Sequence, residues 1–208
     1  MNEQLILPPL TPEALEIYKN WWSTLSDQWK MAFNAVYSQA YSKDIPGDDV
    51  LNLICNVQVM RFAGPRAMYP NLQIELDDLS GVSALTSLKI LVVIDHNITN
   101  LSGIENLQNL ESLFVFENKL TDISHVAALK NLKEMYFQVN EVTSLLPFKD
   151  LIKLKTLYCS NNKIASFDGI TEAHADVLEN FICLPNEPLK DRDIIQFENR
   201  VGIRCKKG

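Results

Sequence analysis

LKILVVIDHNITNLSGIENLQN (88–109), LESLFVFENKLTDISHVAALKN (110–131), LKEMYFQVNEVTSLLPFKDLIK (132–153) and LKTLYCSNNKIASFDGITEAHA (154–175) follow one another without a gap. Counting each first leucine as offset 0, the apolar columns align. Offset 3 holds Leu91, Leu113, Met135 and Leu157, and offset 5 holds Val93, Val115, Phe137 and Cys159. A polar column follows at offset 8 (His96, Asn118, Asn140, Asn162), then Ile98, Leu120, Val142 and Ile164. The second half of each unit adds Leu101, Ile123, Leu145 and Phe167, then Ile104, Val126, Phe148 and Ile170.

Apolar residues at offsets 3 and 5 have strand periodicity, so each unit opens with a short strand that turns alternate side chains inward. An asparagine amide just past the strand can bond to backbone groups that the bend would otherwise leave buried and unpaired. The remainder of the unit returns the chain along the outer side in tight or extended turns. No unit can bury its apolar face alone, so parallel stacking is required.

The pattern LxxLxLxxNxLxxLxxLxxL resembles the leucine-rich repeat family in its short bacterial form, which includes internalin-like adhesins and intracellular phosphatase regulators. The resemblance implies an α/β repeat solenoid, a right-handed superhelix with a parallel β-sheet on its concave face. It implies a protein-binding surface rather than a reaction.

On either side of the repeats the sequence points to caps. Thr11-Pro12-Glu13 and Ser26-Asp27 are helix-opening signals, each followed by an apolar stripe. Trp21, Trp22 and Trp29 are read as core of this helical cap rather than as a ligand platform. A third helix is expected from Asp48 to about Asn56, then a strand carried by Val57, Val59 and Phe62, with Gln58 and Met60 outward. Residues 63–75, with Gly64-Pro65 and Tyr69-Pro70, break the period; an insertion and a degenerate repeat both fit. Leu178, Phe181, Cys183 and Asn186 predict a last strand, and residues 191–201 a short helix in which Ile194, Ile195 and Phe197 close the core. The tail from Arg204 to Gly208 is expected to fray. The expected division is a helical cap over 1–56, about six repeats over 57–189 with the first irregular, and a closing cap and tail over 190–208.

The 208 residues are 47% hydrophobic and carry a formal charge of −7, which disfavours a nucleic-acid binder. No membrane-spanning run appears, and the opening residues lack a basic start and a signal-length apolar stretch, so a cytoplasmic protein is expected. Cys55, Cys159, Cys183 and Cys205 include no CxxC pair, and no histidine lies near any of them in sequence. They are read as structural thiols, with no metal and no cofactor implied. His96 stands in for a ladder asparagine, while His125 and His174 fall on the outer return. No acid, base and nucleophile come together, so the chain is read as no enzyme.

Function is therefore sought on the free face of the sheet, the concave one by the resemblance. Its expected binding residues are Val92, Phe114, Tyr136, Tyr158 and Ile182 at offset 4, and Ile94, Phe116, Gln138 and Ser160 at offset 6. Such a stripe is larger than the scattered apolar residues of an ordinary surface. Asp95, Glu117 and Glu134, with Glu141 beyond, are expected to form an acidic rim that Lys119 and Lys163 offset only in part. The expected partner is a basic, partly apolar protein or peptide, bound by an inhibitor or regulator. The alternatives are self-assembly through the same face, or a secreted or surface adhesin.

Overall fold

The computed structural model describes residues 7–208; the first six residues of the expected cap lie outside it. Seven parallel strands form a single sheet in chain order. They are β1 (Val59–Ala63), β2 (Ile90–Ile94), β3 (Ser112–Phe114), β4 (Glu134–Tyr136), β5 (Thr156–Tyr158), β6 (Asn180–Leu184) and β7 (Lys206–Lys207). The 22-residue period sets the register directly: Leu91 pairs with Leu113, Leu113 with Met135, and Met135 with Leu157. These inward residues and their partners at offsets 5 and 10 are sealed in one continuous core that runs from Trp22 to Ile203.

Two polar ladders hold the turns. Asn118, Asn140, Asn162 and Asn186 each donate from Nδ2 to the carbonyl three residues back and to one in the preceding unit. Asn140, for example, reaches Phe137 O and Val115 O at 3.0 Å each and accepts from Leu120 N at 2.8 Å. The second ladder sits at offset 12, where Asp78, Asn100 and Asp122 accept from the backbone N–H two residues on at 2.8, 2.9 and 2.8 Å, and Ser144 makes the same turn. These side chains nucleate the turns of the return path, several of which tighten into 3₁₀ geometry over Ser80–Val82, Ser124–Ala128 and Leu146–Phe148. The sequence carries this ladder as a D/N-x-S recurrence at 22-residue intervals, Asp78 to Ser80, Asn100 to Ser102 and Asp122 to Ser124.

Three helices precede the sheet: α1 (Pro12–Thr24), α2 (Asp27–Ser38) and α3 (Asp48–Asn56). Thr11 and Ser26 cap the first two, accepting from Ala14 N and Trp29 N. Trp29 and Phe33 are fully buried and meet the Phe62 ring of β1 edge-on at 5.2 and 5.6 Å. The helices thereby cover the apolar interior beside the first strand.

Three expectations are corrected, and the choice left open for residues 63–75 is decided. In β1, Met60 and Phe62 point inward and pair with Leu91 and Val93, while Val59 is 51% exposed. Up to Met60 the expected strand was one residue out of phase, which swaps those side chains to the other face, while Phe62 lies inward as expected. Because β1 pairs directly with β2, the irregular stretch 63–75 carries an insertion within one unit, which runs 31 residues from Val57 to Leu88 against 22 for its neighbours, an excess of nine (31 − 22). Helix α4 (Asp191–Val201) buries Phe197 and Val201, but Ile195 is 57% exposed and takes no part in the core. The final residues do not fray: Ile203 is buried, β7 pairs with β6, and Gly208 N donates to Leu184 O at 2.9 Å.

Candidate functional site

The strands alternate faces, so offsets 2, 4 and 6 point away from the core. At offset 4 the structure lines up Val92, Phe114, Tyr136, Tyr158 and Ile182 in register, all half-buried. The Phe114 and Tyr136 rings stack with centroids 4.6 Å apart and planes 12° from parallel, and Tyr158 continues the row at 6.0 Å. Strand spacing of about 4.8 Å imposes this stacking once adjacent strands carry rings at the same offset. Burial and the nearby Glu134 carboxylate raise the Tyr136 phenol above its ordinary value, so it stays a neutral donor. Phe116 and Gln138 at offset 6 are half-buried beside the row.

Three of the expected site residues are not free. Ile94 is buried because the insertion folds over it: Ala63, Ala67 and Ile94 make a small apolar cluster against Val92, Phe114 and Phe116. Asp95 is buried by the same segment, and Arg66 Nε donates to its Oδ1 at 3.1 Å. Ser160 is fully buried, a short side chain in a column between the longer Gln138 and Leu184. The acidic rim is correspondingly reduced. Asp95 is answered by Arg66 and Glu141 by Lys163 at 2.8 Å, leaving Glu117 and Glu134 without a cation partner among the described residues. Glu134 accepts instead from the Ser112 hydroxyl at 3.0 Å.

The insertion itself was not foreseen as part of this face. Asn71 ties its return to the open edge of β1, accepting from Ala63 N and donating to Arg61 O at 2.7 Å each, while Leu72 N donates to Ala63 O. Arg66 also pairs with Glu75, which Asn97 and Arg66 together hold below the usual carboxylate range. From this braced base Met68 and Tyr69 project, 85% and 73% exposed. The Gly-Pro and Tyr-Pro pairs signalled a loop; nothing local to the sequence signalled where it would lie.

The turn after each of β2 to β5 holds a residue in left-handed backbone: Asp95, Glu117, Val139 and Asn161, with φ between 54° and 58°. Of these only Asn161 and Asp95 are residue types that tolerate that region well. All four cysteines are free thiols, with Cys159 and Cys183 buried in the ladder and held protonated. Burial raises Cys159, and the adjacent Cys205 thiol together with burial raises Cys183; burial pushes Cys55 up to about 12. No helix among the described residues is long and apolar enough to cross a membrane.

Comparison with known proteins agrees with this geometry. The family model described as leucine rich repeats (2 copies) matches residues 130–172. An internalin (inlF) from Listeria monocytogenes is similar at 27% identity and a TM-score of 0.50, covering 58% of this chain and 34% of the internalin. Internalin C2 (inlC2) from the same organism is similar at 30% identity and a TM-score of 0.50, covering 56% of this chain and 50% of that one. The matched region thus spans a third to a half of each internalin. No curated protein matches.

Proposed function

The chain is built of leucine-rich repeats, and from that premise we propose that it is a non-catalytic module that binds a partner protein or peptide through the open, concave face of its sheet. The observation that carries this reading is the row Phe114, Tyr136 and Tyr158. These rings are stacked in register on the face the core does not use, where they add nothing to the continuous interior. Rigid aromatic side chains lose little entropy on binding and supply large contact areas, which is why they recur as interface anchors. In this reading Val92, Phe116, Gln138 and Ile182 complete the contact surface, Glu117 and Glu134 favour a partner with basic groups, and the protein acts as an inhibitor or regulator. Residues 1–56 act as the cap, 57–189 as the repeats and 190–208 as the closing element. Four unpaired thiols fit a reducing compartment, and we place the protein in the cytoplasm.

The test is the double variant Phe114→Ala with Tyr136→Ala. It is expected to abolish capture of a purified binding partner while thermal stability falls only slightly. A large loss of stability would mark the rings as structural and remove the proposed surface.

A further inference from the structure

The open face is a short trough with two walls, not a long flat sheet. At one side the insertion lies over β2, with Ala67 packed on Ile94 and against Val92 and Phe114. At the other the segment after α4 closes on β5: Gly208 sits so near the Tyr158 ring that a Cβ there would fall 2.4 Å from it. The strands that carry the walls, β2 and β5, are three strand spacings apart, about 14 Å axis to axis, of which the wall atoms take about 2 Å on each side. The remaining width, about 10 Å, is that of one α-helix, whose diameter with side chains is about 10–12 Å, and is narrow for the broad surface of a globular partner. An extended segment would gain no main-chain bonds here. The backbone groups of β2 to β5 are already paired within the sheet, whereas a helix satisfies its own.

Charge then orients the occupant. Glu134 stands at the start of β4 and Glu117 just beyond the end of β3, so the two carboxylates lie at opposite ends of the Phe114–Tyr136 floor. Other acids near this face are answered internally, Asp95 by Arg66, Glu111 by Lys133 and Glu141 by Lys163. Lys89 and Lys119 add to the fields at Glu111 and Glu141. Glu134 and Glu117 lie five offsets apart in the repeat, at most about 16 Å along the strand direction, or up to about three turns of helix.

Resting on the reading that this face binds a protein, we infer that its occupant is a single amphipathic helix of a partner protein, laid along the strands with its apolar stripe on Phe114 and Tyr136. Its cationic residues, up to about three turns apart, meet Glu117 and Glu134. Met68 and Tyr69 grip its exposed flank from the braced insertion, whose anchoring at Asn71 and Arg66 means that little order is lost when they engage.

The experiment pans a phage-displayed library of linear peptides of about 16 residues, long enough for four helical turns, against the full chain. The enriched peptide is then synthesised and its affinity measured by fluorescence polarisation. Enriched sequences are expected to carry apolar residues at i, i+3, i+4 and i+7 with Lys or Arg towards both ends, and to become helical in the complex by circular dichroism. Glu117→Gln with Glu134→Gln, and separately Met68→Ser with Tyr69→Ser, are each expected to weaken binding by about tenfold or more. If Phe114→Ala with Tyr136→Ala abolishes binding but either of those pairs leaves it unchanged, or the bound peptide is extended or lacks basic ends, this inference is overturned and the binding face stands. If no peptide is enriched, or the aromatic double variant binds as well as the parent, both fall. A homodimer in sedimentation, dissolved by the aromatic double variant, would place a second copy on the face and overturn the helix.

Discussion

His96 is the one ladder position that departs from asparagine, and its environment gives it a signature. Burial holds its imidazole down to about 4, against an ordinary value of 6.5. Between those two values the unfolded chain takes up a proton that the folded chain refuses, so stability falls as pH drops through that window. At the lower end the loss is on the order of 3 kcal/mol. Its Nδ1 accepts from Leu76 N at 3.1 Å, as Asn118 Oδ1 accepts from Ile98 N one unit later. His96→Asn should therefore be neutral or mildly stabilising near pH 7.5 and should flatten the decline between pH 6.5 and 4, read from thermal melts across that range. By contrast Asn140→Ala, which leaves Leu120 N without a partner and takes one of two amide donors from Val115 O and Phe137 O, should cost about 1–3 kcal/mol. Equal tolerance at the two positions would refute the ladder assignment. Val139 makes the opposite case. A β-branched side chain at φ 58° is strained, and it is 45% exposed with little packing to lose. Val139→Gly is expected to raise stability by about 1 kcal/mol, because the relief of left-handed strain at a β-branched residue exceeds the added freedom of the unfolded chain. A lower melting temperature would contradict it.

At the scale of elements, the helices meet the repeats at Phe62, which faces Trp29 and Phe33, and in a closer contact at a glycine. Gly81, on the return path of the first unit, lies against the Trp29 indole of α2, and a Cβ added there would fall 2.1 Å from the ring. Gly81→Ala must displace a fully buried tryptophan or the turn that faces it, and should cost about 1–3 kcal/mol in denaturant unfolding. A neutral result would mean that α2 can slide on the first unit. The insertion shows a second consequence of element packing. Its Asn71 occupies backbone groups on the outer edge of β1, which blunts that edge against pairing with another chain, and Arg66 then fixes the loop over Asp95. What reads in the sequence as an interruption is a built part of the face.

For the whole molecule, the core runs unbroken from Trp22 in α1 to Ile203 after α4. The three tryptophans all lie in α1 and α2, so their fluorescence reports one end, while far-ultraviolet circular dichroism reports the entire chain. Repeat stacks are held by nearest-neighbour interfaces and can in principle unfold from an end. Here the continuous core is expected to give coincident transitions by the two probes in denaturant, with the Asn140→Ala variant shifting both together. Separate transitions, tryptophan first, would show that the helices detach before the repeats melt.

The solenoid was legible in the sequence because its cause is local. A 22-residue recurrence of leucines and asparagines fixes which residues face inward, which carbonyls need a donor, and that the strands must stack in parallel, and the strand register follows it residue for residue. The aromatic row followed from the same counting. The phase of β1 did not, since a single strand at an irregular boundary offers no second copy against which to check its register. Nor could periodicity tell that Ile94 and Asp95 are covered while Phe114 and Tyr136 stay open, or that residues 206–208 close the far side. Those depend on where an insertion and a terminal segment come to rest, and that is decided by contacts between residues distant in the chain, such as Ala67 on Ile94, Arg66 with Asp95 and Gly208 against Tyr158. Repetition set the floor of the site by itself, and only tertiary packing built its walls.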